Sequence, residues 1–131
     1  DELRPKGDDL RLFSSRYRDS DIAFSRDAPA ALIKEILKDM PVEVIDTGFA
    51  IHLQIPGVTK GAAFEKLAAE MGLAPADFLA AGDSVNDVSM LKLGGISVVP
   101  ANASPEAKEA ADHVMERSFG EGTADALRKY L

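Results

Sequence analysis

The sequence contains no cysteine and no tryptophan, and aromatic residues make up only 6% of its 131 positions. Without cysteine there can be neither a disulfide nor a thiolate metal ligand, which excludes a stapled scaffold and a cysteine-type zinc site. Basic residues are also few: 15 Lys and Arg stand against 22 Asp and Glu, a net charge of −7. Nucleic-acid binding calls for a basic face, so this balance predicts no nucleic-acid partner. No apolar run approaches the roughly 20 residues that cross a bilayer, and no signal-peptide pattern opens the chain. The expectation is a soluble, cytoplasmic protein with no membrane association. The chain starts Asp1-Glu2 without Met, which predicts a fragment or a processed product. What is present is a 46% hydrophobic content, sufficient for a real core at this length.

The pattern changes at Pro56-Gly57, which predicts two domains, 1–56 and 57–131. In the first, residues 1–9 read as a loose arm, Leu10–Phe13 as a strand start, and Ser14–Asp21 as an exposed connection. Ile22–Phe24 reads as a strand. Asp27 is placed to cap a helix with Pro29 in its first turn, and Leu32, Ile33, Ile36, Leu37 and Met40 fall on one helical face up to Pro41. Val42–Ile45 is a short strand and Asp46-Thr47-Gly48 a turn. Apolar Phe49, Ile51, Leu53 and Ile55 alternate with Ala50, His52 and Gln54, the pattern of a half-exposed antiparallel strand. This predicts a small α+β unit with one wet sheet face, on which His52 is a surface residue.

Beyond Pro56, Thr59 caps a helix whose inner face is Phe64, Leu67, Ala68 and Met71, closed by Gly72. Strand Phe78–Ala81, helix Val88–Leu93, strand Ile96–Val99, helix Pro105–Ala111, short strand His113–Met115 and a closing helix Thr123–Leu131 follow. Strands alternating with helices predict a parallel sheet. His113 is expected to be structural.

The chemistry gathers at Gly82-Asp83-Ser84-Val85-Asn86-Asp87. Asp83 leaves the carboxyl end of a buried strand, where open α/β sheets bind ligands, and Asp87 follows four residues on. Two carboxylates there suit a hard cation such as Mg²⁺ with water and phosphate; the same residues would also serve simply as helix caps. Lys60 opens a helix at the end where the backbone dipole disfavours a cation. That suggests an anion to be gripped, with the Gly61 and Ala62 N–H groups aimed at it, or else a solvated lysine.

Thr59-Lys60-Gly61 followed by Gly82-Asp83-Ser84-Val85-Asn86-Asp87 resembles the downstream half of the haloacid dehalogenase-like superfamily of phosphohydrolases. Asp46-Thr47-Gly48-Phe49-Ala50-Ile51-His52 resembles the hairpin of the inserted cap in the archaeal phosphoglycolate phosphatase branch. The resemblance implies an α/β fold: part of a doubly wound, Rossmann-like parallel sheet plus a small α+β cap. It implies a Mg²⁺-dependent phosphatase for a small phosphomonoester, phosphoglycolate first, working through an aspartyl-phosphate. Lys60 would neutralise phosphate, Asp83 would serve catalysis with Asp87 in holding Mg²⁺, and Ser84, Asn86 and Asn102 would contact or support the substrate. His52 would be within reach of substrate from the cap. The alternatives are a phosphosugar mutase-type phosphotransferase and a non-catalytic remnant that binds Mg²⁺ or a partner.

The family's nucleophile motif, Asp-x-Asp-x-Thr at the end of a strand, is absent, as is the Ser or Thr phosphate ligand ahead of the cap. Asp19-Ser20-Asp21 copies part of its spacing but follows Ser15-Arg16-Tyr17-Arg18 rather than an apolar strand. The attacking Asp therefore lies outside this chain, which is expected to be inactive alone. Strand Phe78–Ala81, apolar on both faces, would be left with a bare edge. The expected cover is a missing N-terminal half or a second copy of the chain.

Overall fold

The computed structural model describes residues 21–131, and the chain divides into two compact units, Asp1–Val58 and Thr59–Leu131. The arm at 1–9, the Leu10–Phe13 strand, the 14–20 connection and the Asp19-Ser20 pair lie outside the described residues.

In the first unit, β1 (Asp21–Phe24), α1 (Ala30–Ile36), β2 (Glu43–Asp46) and β3 (Ile51–Gln54) follow in order. The sheet is antiparallel, in the order β1-β3-β2, with Ile51 opposite both Phe24 and Asp46. Central placement makes Ile51 fully buried, in a cluster with Phe24, Ala28 and Ile33. The β2–β3 turn is closed by the Asp46 carboxylate, which accepts from Gly48 N–H at 2.9 Å, and by Thr47 N–H, which donates to Ala50 O. Helix α1 is shorter than its apolar spacing predicts. Pro29, extended, is the N-cap with no side-chain cap, so Asp27 does not fill that role; its carboxylate accepts the Ser25 hydroxyl instead. The helix stops at Ile36, and Met40 is 55% exposed beyond it. A residue that precedes proline is disfavoured in the helical region, so the chain has to unwind before Pro41. His52 is partly buried, and its Nδ1 lies 3.0 Å from Asp21 Oδ2 across the strand pair. It is a paired residue rather than a free surface one.

The second unit runs α2 (Lys60–Glu70), β4 (Leu79–Ala81), α3 (Val88–Leu91), β5 (Ile96–Val99), α4 (Pro105–Ala110), β6 (His113–Val114) and α5 (Phe119–Tyr130). Its sheet is parallel, in the order β4-β5-β6. Alternation along the strands fills two faces. Ala80 and Val99 pack with Leu91, Ala103 and Ala107 on one. Val98, with Leu79 and Ile96, packs with Met115 and Ala126 on the other. A parallel sheet covered on both faces is the doubly wound arrangement expected from the sequence. Ser97, buried in the middle of β5, is satisfied by Asp112: its N–H and hydroxyl each donate to Asp112 Oδ2 at 2.8 Å. Among the described residues, β4 pairs with β5 alone, so its other edge is open.

Two expectations are corrected here. Leu67 and Met71, assigned to the inner face of α2, are 53% and 56% exposed. Ala68 is buried and Phe64 half-buried, as the spacing predicts; the position it misses is Gly61, buried where α2 meets α3. Helix α5 starts at Phe119, four residues before Thr123, with Gly120 and Gly122 inside it. Glycine is a poor helix former, but Gly122 and Ala126 are buried, and tertiary packing outweighs the local preference.

Candidate functional site

The chain leaves β4 through Gly82, whose N–H reaches Val98 O across the sheet. Asp83 follows, with an exposed side chain that makes no hydrogen bond or ion pair among the described residues, while its backbone carbonyl accepts from Ser104 N–H at 2.8 Å. Ser104 is the N-cap of α4, so the crest of the loop is fixed to the next helix. Beneath it lies Asp87, 3% exposed. Asp87 Oδ2 accepts from the N–H groups of Asp83 at 2.9 Å and Ser84 at 3.1 Å, and Oδ1 accepts from Lys60 Nζ. The Ser84 hydroxyl donates to Asn86 Oδ1, closing the turn on itself. Gly82 is required by closeness: a Cβ there would stand 2.5 Å from Asp87 Cβ.

Lys60 is delivered by the start of α2. Thr59 caps the helix, its hydroxyl accepting from Ala62 N–H at 3.1 Å, and Gly61 N–H donates to Ser89 Oγ at 3.0 Å. A Cβ on Gly61 would lie 2.8 Å from the Ser89 carbonyl oxygen, so glycine lets α2 sit directly on α3. The Gly61 and Ala62 N–H groups, expected to face an anion, therefore have protein acceptors already. The cation at an unfavourable helix end is offset by the Asp87 carboxylate. The ammonium remains 51% exposed at its side chain, and with three donors, of which Asp87 takes one, it keeps capacity for a second anion.

Burial alone would raise the Asp87 pKa. The hydrogen bond from Lys60, those from the Asp83 and Ser84 N–H groups, and the charge of Lys60 outweigh it and hold the carboxyl below the ordinary 3.8. A folded-state pKa below the unfolded one means that the unfolded chain binds the proton more tightly. The stabilisation is complete above the unfolded value and is lost as pH falls through the folded one. We therefore expect the stability difference between this protein and its Asp87→Asn variant to be constant above about pH 5 and to shrink below about pH 4, as measured by urea unfolding across that range.

The structure thus brings Lys60, Asp83, Ser84, Asn86 and Asp87 together on one loop and one helix start. Asn102 is placed apart from the ion pair: its Oδ1 accepts from Phe119 N–H at 2.6 Å. Phe119 and Asp83 both line a hollow of about 350 Å³ with Gly82, Pro100 and Thr123 among its walls, and neither Lys60 nor Asp87 borders it. Ser89, Ser104 and Phe119 were not singled out from the sequence. The Ser104-Pro105 pair does announce a helix cap, but its bond to Asp83 depends on the fold. Among the described residues, no group of three or more His, Cys, Asp or Glu is placed to hold a metal. Asp83, free and exposed at a strand end, fits as one carboxylate ligand of a hard cation. Asp87, with both oxygens engaged, fits as a residue that orders the loop around it.

A model of the haloacid dehalogenase-like hydrolase family matches residues 20–127. The phosphoglycolate phosphatase of Methanoculleus marisnigri is 47% identical over 132 residues, which cover 99% of this chain and 56% of that protein. The phosphoglycolate phosphatase of Methanothermobacter thermautotrophicus is 47% identical over 117 residues, 89% of this chain and 53% of that one. A crystal structure from Thermoplasma acidophilum matches with a TM-score of 0.79 at 26% identity, covering 98% of this chain and 58% of its own. The chain spans about half the length of the curated relatives it matches. With the family model matching well over half of it, residues 20–127, the chain belongs to the haloacid dehalogenase-like hydrolases.

Proposed function

We propose that this chain supplies the phosphate-gripping and metal-facing side of a phosphatase for small phosphomonoesters, with phosphoglycolate as the first substrate to test. The observation that carries this reading is the pairing of the half-exposed Lys60 with buried Asp87 directly under the loop that presents Asp83. The name shared by the Methanoculleus and Methanothermobacter relatives supports the substrate. Asp87 holds Lys60 in place, and the free donors of Lys60 bind phosphoryl oxygens and offset the charge that grows on them. Asp83 would hold Mg²⁺, which when bound would supply Lewis-acid neutralisation at the same oxygens. The carboxylate that attacks phosphorus, displacing the alcohol and forming an acyl phosphate that water then cleaves to free phosphate, is supplied from outside this chain, by the portion of the relatives' length that it does not span. The same portion covers the open edge of β4, since an apolar strand edge left bare invites pairing.

The test is release of phosphate from 2-phosphoglycolate with Mg²⁺, by the chain alone and after adding the missing stretch of the Methanoculleus relative. Release is expected in the combination and not from the chain alone. Asp83→Asn should lower the combined rate by about 10²-fold, the usual effect of losing one preorganised electrostatic group, with an unchanged circular dichroism spectrum. No release from the combination, or a rate indifferent to Asp83→Asn, would remove the reading. Transfer of the phosphoryl group to an added sugar phosphate, in place of free phosphate, would assign a phosphotransferase instead.

A further inference from the structure

Phe119 combines two features that folding alone does not favour. Its φ is +54°, in the left-handed region that disfavours any residue with a Cβ and that glycine enters freely. Its side chain is 72% exposed, so the ring contributes little to the core of this unit. The backbone is held there from two sides. Asn102 Oδ1 accepts its N–H at 2.6 Å, and its carbonyl accepts from the Thr123 hydroxyl at 3.4 Å. A strained backbone that its surroundings enforce is a reason to look for a use of the side chain. The place is informative: Phe119 borders the hollow at the carboxyl ends of β4 and β5 that Asp83 also borders, where ligands of open α/β sheets bind.

We propose that Phe119 is a specificity-determining residue: its ring is the apolar wall against which the carbon portion of a bound phosphomonoester lies, and Asn102 is the positioning residue that fixes that wall. The inference rests on the phosphate reading above and adds the chemistry of the rest of the ligand. The residues that line the hollow include one carboxylate, Asp83, and no cation. An uncharged, CH-rich group is accepted there, and a second anionic group has to lie outside it. At about 350 Å³ the hollow has the size of a small-ligand site.

The experiment titrates the chain, with Mg²⁺ present, with inorganic phosphate and separately with glycerol 3-phosphate, following backbone amide NMR shifts. In Phe119→Gly, glycerol 3-phosphate should bind roughly three- to tenfold more weakly, the range expected for one lost aromatic contact, while inorganic phosphate is unaffected. The melting temperature should be unchanged or higher, because glycine accepts the left-handed backbone. Asn102→Leu should reproduce the loss, and Asn102→Asp, which keeps the acceptor oxygen, should restore discrimination. Equal weakening of both ligands, or weakening of neither, would overturn the role of Phe119 and leave the phosphate site standing. No binding of inorganic phosphate by the unsubstituted chain would overturn the phosphate reading itself.

Discussion

Asp87→Ala is expected to destabilise the second unit by about 3 kcal/mol, chiefly by leaving two backbone donors under the loop unsatisfied. The carboxylate is 3% exposed and accepts from two backbone N–H groups and an ammonium. Alanine leaves the Asp83 and Ser84 N–H groups without an acceptor, and an unsatisfied buried donor costs about 1–3 kcal/mol. Lys60 adds less, because its half-exposed side chain can turn to water. Asp87→Asn separates these parts. Its amide oxygen can still accept from the two N–H groups, but its NH₂ then faces the ammonium, so it should cost about half as much as alanine. Urea unfolding of both variants gives the comparison. A cost below about 1 kcal/mol for alanine, the net worth of one ordinary hydrogen bond, would mean that the carboxylate does not hold this loop.

The second large effect is expected at Gly82. Its φ lies outside the left-handed region, so the usual gain of about 0.4–1 kcal/mol for Gly→Ala would apply if space allowed. It does not. A new Cβ meets Asp87 Cβ at 2.5 Å and Cγ at 2.8 Å, and Asp87 is anchored through both oxygens and cannot swing away without breaking those bonds. Gly82→Ala should therefore cost about 3 kcal/mol, the upper range for overpacking, and should displace Asp87 from Lys60. Thermal unfolding measures the first effect. The second appears as a changed acid limb of stability, since the lowered Asp87 pKa depends on those same partners. A neutral or stabilising Gly82→Ala would contradict the close approach.

The parallel sheet was readable from the chain because apolar strand runs such as Ile96–Val99 are bounded by Gly94-Gly95 and Pro100, and because period and punctuation agree there. The cluster of Lys60, Asp83 and Asp87 was legible for a different reason: Asp83 and Asp87 follow a strand end, and Lys60 stands where local electrostatics argue against it. What that argument could not supply was the partner. The anion that answers Lys60 within the chain is Asp87, 27 residues away in sequence, and only folding brings α2 onto α3. On the inner face of α2 the spacing places Ala68 correctly but wrongly includes Leu67 and Met71, and it misses Gly61, which carries no hydrophobic signal. Phe119 was invisible because what sets it apart is a backbone angle and a hydrogen bond that its N–H donates to Asn102, neither of which leaves a mark in spacing or composition.

The most direct test is an NMR titration of the chain with inorganic phosphate in the presence of Mg²⁺, repeated on Lys60→Ala. A phosphate site beside Lys60 and Asp83 predicts saturable shifts at the amides of residues 60, 83 and 84, lost in Lys60→Ala while that variant keeps its folded spectrum. Shifts confined to other parts of the chain, or shifts that survive unchanged without the lysine, would contradict it.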